Sequence, residues 1–312
     1  MYTTDKIFKE KSSQIKQLSK EELFLTIKNK YTQIPKEIQT SLENYFATFD
    51  YWGKLESKNG IFEEIERKAN SLHYHIDDIV WLYNNLGDYR SKKILLAILT
   101  NYFEYDFQLL NEVRETNFLP YFDMDIIQCT NEEVIVDLGA YTGDTIIDYI
   151  KTYGIDCYKK IYCYEITEST FNILKNNLSY YPNIECKRKA ASNKKETLYI
   201  ESNTVNASAN VIRTSGEIKV EAVAIDEDID DTITMIKMDI EGSEMDALNG
   251  AQIQDYHPKL LISVYHNHED IWKIPKMIEE ITPGYKFYLR YYGNNIFPTE
   301  TTLIAIYEKD KS

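Results

Sequence analysis

The 312-residue sequence predicts a helical N-terminal part followed by an α/β part built on a parallel sheet, and three observations carry that prediction. Apolar residues recur at helical spacing up to about residue 118. From about 131, short β-branched runs alternate with helical segments, the pattern of a parallel sheet with helices on its faces. The chain then ends on two strands with no helix between them, so the last strand is expected to run antiparallel at the end of the sheet.

The elements follow in order. "IFEEIERKANSLHYHIDDIVWLYNNLG" (61–87) places Ile61, Ile65, Leu72, Ile76, Ile79 and Leu82 on one helical face, with Gly87 as its stop. His73 and His75 fall inside that pattern as packing or surface residues. "SKKILLAILTNYFEYDFQLLNEV" (91–113) reads as one further helix with Ser91 as N-cap, and Pro120 marks a boundary. The domains expected are therefore 1–118, helical, and 119–312, α/β. In the second, "VIV" (134–136), "KIYCYEI" (160–166), "NIECKRKAA" (183–191), "ITMIKMDI" (233–240) and "KLLISVYH" (259–266) read as strands. "TLYI" (197–200) and "IKVEAVAI" (218–225) read as an inserted antiparallel pair. "YKFYLRYY" (285–292) and "TTLIAIYE" (301–308) form the closing hairpin.

Bulk composition narrows the function. Hydrophobic residues at 43% and charged residues at 27% describe a globular chain with a sizeable core. The formal charge of −15 repels phosphate backbones, which argues against nucleic acid as a partner. The apolar run "ILLAIL" (94–99) is too short to span a membrane, and the polar stretch "MYTTDKIFKEKSSQIKQ" lacks an apolar signal region, so a cytoplasmic location is expected. Cys129, Cys157, Cys163 and Cys186 show no CxxC spacing and read as isolated thiols in a reducing compartment. The 26 tyrosines fit either packing or a cleft that stacks on sugar rings.

Chemistry concentrates at the strand ends. After Val134–Val136, Asp137 ends a strand, Gly139 and Gly143 bracket a turn, and Thr142, Asp144 and Thr145 open a helix whose N-terminus suits an anionic group. Tyr141 stands where a dinucleotide fingerprint needs its middle glycine, so a pyrophosphate fits poorly, and no lysine follows Gly143 to make a P-loop. A ligand needing less anion room remains, such as the amino-acid tail of S-adenosylmethionine, with Asp137 accepting from its ammonium. Glu165, ending the next strand, is placed to accept ribose hydroxyls. In "IKMDIEGSEMDALNGA" (236–251), Asp239, Glu241 and Glu244 crowd a strand end. Ser243 with Asp246 reads as a capping box, Glu244 as a dipole partner and Gly250 as a helix stop. Asp239 has no such role, and a methyl cation equivalent, a divalent metal or a substrate hydroxyl are its candidate partners. His266 supplies a base for an acceptor hydroxyl. His266, His268 and Asp270 also suggest metal ligands, although "HNHED" is expected to turn into a helix.

Taken together, "VIVDLGAYTGDT", "YCYEI", "IKMDIEGSEMDALNGA" and "PKLLISVYHNHEDIWKIPKMI" resemble the FkbM family of S-adenosylmethionine-dependent methyltransferases over residues 131–308. The resemblance reaches "LGDYRSKKILLAIL" and "YFDMD" upstream more loosely. It implies a Rossmann-like, class I seven-stranded sheet and O-methylation of a hydroxyl on a sugar, glycan or secondary metabolite in bacteria. It also implies that Asp137, Gly139, Tyr141, Gly143 and Thr145 line the methionine part of the cofactor and Glu165 the ribose, with Ala140, Asp144, Ile166, Ala191 and Asp239 completing the cofactor set. Asp239, Glu241 and His266 would face the transfer site, with no all-protein metal site and a divalent metal shared with substrate left open. Tyr141 departs from the small polar residue common in relatives. The alternatives are N-methylation of an amino sugar or peptide and an inactive methyltransferase-fold scaffold, with a dinucleotide oxidoreductase third.

Overall fold

The computed structural model describes residues 2–49, 52–201, 211–213, 218–251, 253–294 and 296–308. Two compact units result: Met1–Thr116 with Val264–Lys276 and Lys286–Leu303, and Asn117–Ser263 with Met277–Tyr285 and Ile304–Ser312.

The first unit opens with α1 (Thr3–Gln17), α2 (Lys20–Gln33) and α3 (Lys36–Thr48), followed by the short antiparallel pair β1 (Leu55–Glu56) and β2 (Ile61–Phe62). Ser19 and Glu22 form a reciprocal capping box at the start of α2. The long pattern expected from 61 becomes α4 (Glu63–Asn85), whose buried stripe holds Ile65, Leu72, Ile76, Ile79 and Leu82. Gly87 follows that helix for a packing reason: a Cβ there would meet the Tyr288 ring at 2.5 Å, and its N–H donates to the Phe287 carbonyl at 2.7 Å.

The helix expected over 91–113 is in fact two, α5 (Tyr89–Glu104) and α6 (Phe107–Glu112), broken where Tyr105 takes a left-handed φ of 56°. Asp88 rather than Ser91 is the N-cap of α5, accepting from the Ser91 N–H at 2.7 Å. Ser91 lies inside the first turn, where its Oγ accepts from the Leu289 N–H at 2.8 Å.

The second unit carries β3 (Val134–Leu138), α7 (Asp144–Tyr153), β4 (Lys160–Tyr164), α8 (Glu168–Leu178), β5 (Ile184–Lys187) and β6 (Ala190–Ala191). It continues with β7 (Glu196–Glu201), β8 (Val211–Arg213), β9 (Ile218–Val223), α9 (Ile225–Asp228), β10 (Met235–Met238), α10 (Glu244–Asn249), α11 (Ile253–Tyr256) and β11 (Lys259–Ser263). The chain ends with α12 (Asp270–Ile281), β12 (Tyr285–Tyr291) and β13 (Thr301–Tyr307).

A seven-stranded sheet runs β12–β13–β11–β10–β3–β4–β5. The pairs from β11 to β5 are parallel, and β3 has every residue buried, as its β-branched run requires. The last strand, expected at the end of the sheet, sits inside it between β12 and β11. The strand expected over 183–191 breaks at Arg188 and Lys189: β5 joins the main sheet and β6 a second one. That second sheet, ordered β6–β9–β7–β8, enlarges the expected inserted pair to four strands. The strand expected to reach His266 ends at Ser263. Cys163 and Cys186, expected to stand apart, are register partners on β4 and β5. Among the described residues, no helix is long and apolar enough to cross a membrane.

Candidate functional site

Three neighbouring parallel strands, β4, β3 and β10, end together in the second unit, and open α/β sheets bind ligands at such carboxyl ends. One row below that edge, register aligns Lys237, Asp137, Cys163 and Cys186, so their side chains share one face of the sheet. Lys237 Nζ lies 3.0 Å from Asp137 Oδ1, both side chains being almost wholly buried. The same ammonium donates to the Gly139 carbonyl at 2.8 Å. Burial pushes the Asp137 carboxyl above its ordinary range against the opposing pull of Lys237, while Asp144 and Asp239 add to the rise. Burial pulls the Lys237 ammonium down, but Asp137 and Asp239 outweigh it and hold the group above its usual value.

The turn after β3 follows from its glycines. Gly139 has φ +77°, and a Cβ on it would stand 2.0 Å from the Asp239 carbonyl oxygen, so no side chain fits. The Gly139 and Ala140 N–H groups donate to the Tyr164 carbonyl at 3.1 and 2.9 Å, stitching the turn to the end of β4. Tyr141 is also left-handed, with φ 45°, and 41% exposed. Gly143, at φ +86°, is the N-cap of α7, so the first turn of that helix has no side-chain cap. The N–H groups of a helix's first turn suit an anionic group. Asp144 is exposed, and Thr145 is half-buried on the same turn.

Glu165 follows β4 directly and is buried. Its Oε1 accepts from the Thr167 N–H at 2.7 Å. Burial raises its carboxyl above the ordinary range, against the lowering effect of the Thr167, Tyr141 and Ile166 N–H groups. The Tyr141 contact brings the glycine turn and Glu165 together.

Asp239 follows β10. Its N–H donates to the Leu138 carbonyl at 3.0 Å, and its Oδ2 accepts from the Tyr121 hydroxyl at 2.9 Å. Tyr121, itself at φ 70°, also shares a 2.9 Å hydrogen bond with Ser263 Oγ at the end of β11. Beyond Asp239 the chain turns through Glu241 (φ 55°) and Gly242 (φ 93°). Ser243 is the N-cap of α10 but makes no side-chain cap bond, so the expected capping box with Asp246 does not form. Glu244 holds the turn instead, its buried Oε1 accepting from the Ile240 N–H at 3.0 Å. Gly250 ends α10 without a left-handed φ; it is required because a Cβ would approach the Ser192 carbonyl to 2.4 Å.

The structure therefore gathers Asp137, Gly139, Ala140, Tyr141, Gly143, Glu165 and Asp239 around one turn. Ile166 packs against Ala190, Val220 and Ala222, and Ala191 pairs with Val223 in the second sheet. Glu241 is half-buried on the left-handed turn. His266 is buried in the first unit, its ring 4.5 Å from that of Tyr265. His268, in the same unit, is hydrogen-bonded to Glu64 at 3.0 Å.

Sequence reasoning missed Lys237 and Tyr121. Lys237 had a signal, since it is a charge in the otherwise apolar "MIKM" of a buried strand. Tyr121 had none, because its partners at 239 and 263 are brought to it by the fold.

A seven-stranded, mostly parallel sheet with a glycine turn and acidic residues at the strand ends defines the class of Rossmann-like α/β folds. The family model for the methyltransferase FkbM domain matches residues 137–295, and the chain belongs to that family. The fold is similar to that of methyltransferase FkbM from Methylobacillus flagellatus KT, with TM-score 0.65 and 24% identity over 79% of this chain and 62% of that one. The chain thus spans 62% of the length of that relative. A lesser similarity joins it to Aeropyrum pernix fibrillarin in complex with S-adenosylmethionine, at TM-score 0.38 and 10% identity, covering 63% of this chain and 73% of that one. An rRNA methylase from Streptococcus thermophilus overlaps at TM-score 0.35 and 14% identity, over 58% of this chain and 89% of that one. No curated protein matches the chain.

Proposed function

We propose that this chain transfers a methyl group from S-adenosylmethionine to a hydroxyl of a sugar, glycan or secondary-metabolite acceptor. The observation that supports the reading most is the cradle at Gly139, where the Asp239 carbonyl excludes any side chain while Glu165 and Asp239 flank the same turn. When bound, the cofactor supplies an electrophilic methyl group on a sulfonium. The open first turn of α7 receives its carboxylate, Asp137 its ammonium and Glu165 its ribose hydroxyls. Gly143, Asp144 and Thr145 belong to that helix start, and Ala140, Tyr141, Ile166 and Ala191 complete the cofactor set.

Asp239 and Glu241 orient the acceptor hydroxyl, and His266 takes its proton as the methyl arrives. Alignment of this kind is worth about 7–11 kcal/mol of barrier in favourable cases. A positioned base adds about 10²–10⁴-fold. The net charge of −15 favours a neutral or cationic acceptor over nucleic acid. Residues 1–118 are the proposed substrate or partner domain, and the cytoplasm is the proposed location.

Calorimetric titration with S-adenosylhomocysteine, and separately with NAD, tests the cofactor. Micromolar binding of the first alone is expected, and binding of neither by folded, ligand-free protein would sink the reading in favour of a scaffold. Glu165→Ala is expected to weaken that binding at least tenfold; unaltered affinity would place the ribose elsewhere. His266→Ala is expected to keep the affinity and lose turnover. A chelator is expected to leave turnover intact, and its loss would instead make Asp239 and Glu241 metal ligands.

A further inference from the structure

Helix α4 buries two charges. Glu64 and Lys68 pair at 2.9 Å, each side chain 0% exposed. Glu64 Oε1 is also 3.0 Å from His268 Nε2, and Glu64 Oε2 is buried with no hydrogen-bond partner among the described residues. Further along α4, the Ser71 hydroxyl donates to the His268 carbonyl at 3.2 Å. Trp52 and Tyr102 meet the His268 ring edge-on at 4.8 and 5.3 Å, and Lys68 Nζ lies 3.2 Å from the Tyr105 hydroxyl.

A buried ion pair is weak evidence for stability, because apolar side chains of similar volume often serve as well or better. What this cluster supplies is direction. His268 is held twice by one helix, through its ring and through its main chain. On the other side, the Val264 N–H donates to the Thr301 carbonyl at 3.0 Å. Just beyond, Asn267 Oδ1 accepts from the Glu269 and Asp270 N–H groups at 2.8 and 3.1 Å. His266 lies between these anchors, in the middle of a segment that belongs to neither β11 nor α12. Burial pushes the Glu64 carboxyl up, but Lys68 and His268 outweigh it and keep it below its usual range.

We propose that Glu64, Lys68 and His268 form a positioning cluster that fixes the imidazole of His266, acting on methyl transfer through that side chain without touching substrate. The inference rests on the reading of His266 as the base. Glu64 and His268 are positioning residues, and Lys68 keeps the carboxylate in place.

The test is an apolar replacement of the whole cluster in the full chain, Glu64→Leu with Lys68→Met and His268→Phe, beside Glu64→Gln as the shape-preserving variant. Four quantities are read: thermal stability, S-adenosylhomocysteine affinity, methyl transfer and the ¹H–¹⁵N imidazole spectrum of the histidines, five in the wild type. The triple variant is expected to melt no lower than wild type and to bind S-adenosylhomocysteine within about twofold. Its His266 signals are expected to split or broaden, while those of His73 and His257 stay put. Methyl transfer to a panel of methyl glycosides is expected to fall at least tenfold. Should the triple variant not fold, Glu64→Gln gives the same His266 and transfer readouts with the same expectation, at a lower melting temperature because Lys68 is left buried and unpaired.

An unchanged His266 signal in a folded variant would overturn the positioning role, whatever the activity. Normal transfer by His266→Ala would instead overturn the base assignment, so the two failures are told apart.

Discussion

Lys237 and Lys68 are both buried, and each pairs with one carboxylate at nearly the same distance, 3.0 and 2.9 Å. Their settings differ. Lys68 shares a helix with Glu64 at i,i+4, among aromatic rings, and turns another donor to the Tyr105 hydroxyl. Lys237 meets Asp137 across two strands in register and turns another donor to the Gly139 carbonyl. The first pair sits among aromatic rings and holds a neighbouring segment through His268. The second lies in an acidic field, with Asp144 and Asp239 adding to it, one row below the carboxyl ends of β4, β3 and β10. The same ion pair is a geometric device in one unit and a part of the site's electrostatics in the other.

The largest expected effect comes from breaking the sheet pair on one side only. Lys237→Met leaves the Asp137 carboxylate buried and unpaired, and a loss of about 3–5 kcal/mol is expected in denaturant unfolding. Adding Asp137→Leu is expected to restore most of that stability but not the cofactor site, with S-adenosylhomocysteine at least tenfold weaker. Lys68→Met is expected to destabilise comparably and leave that affinity alone. Equal effects of the two lysines on binding would erase the distinction.

Two left-handed glycines sharpen the comparison at smaller cost. Gly60, in the first unit, has φ +73°, and a Cβ added there would meet nothing within 4 Å. Gly139 has nearly the same φ, but a Cβ would lie 2.0 Å from a carbonyl oxygen. Gly60→Ala is expected to destabilise by about 1–2 kcal/mol, the conformational penalty alone. Gly139→Ala is expected to exceed it and to weaken S-adenosylhomocysteine as well, since the Asp239 backbone must retreat. Tyr121→Phe comes next, at about 1.5 kcal/mol for losing the hydroxyl between Asp239 and Ser263. Matched melting curves of the three variants check the order.

What could be read in advance follows the range of each interaction. The β3 strand, its turn and Glu165 were legible because apolar runs, glycines and strand-end carboxylates are local signals. The Ser91 cap was misread by three residues, and the partner its hydroxyl does have, Leu289, is distant in sequence. For the same reason Tyr121 carried no signal at all. Glu64 and Lys68 drew no reading from the sequence, since i,i+4 charge pairs usually mark a solvated helix face. Only the fold shows that both are enclosed. The position of the last strand was misplaced because a hairpin fixes which strands are neighbours but leaves open which of them faces the rest of the sheet.

The smallest expected effect concerns the turn after Asp239, where a familiar motif did not form. A serine that caps a helix is worth about 1 kcal/mol over alanine. Ser243 occupies the N-cap of α10 yet makes no side-chain cap bond, so Ser243→Ala is expected to change unfolding by less than about 0.5 kcal/mol. The buried Glu244 carboxylate, which accepts from the Ile240 N–H at 3.0 Å, holds the helix start that the serine was expected to hold. Glu244→Ala is therefore expected to destabilise by about 1.5–3 kcal/mol, the range for a hydrogen bond to a charged group. A Ser243→Ala loss equal to that of Glu244→Ala would mean that the capping box forms after all. The acidic turn would then be held by an ordinary helix start, and Asp239 would lose the structural support that sets it apart from its neighbours.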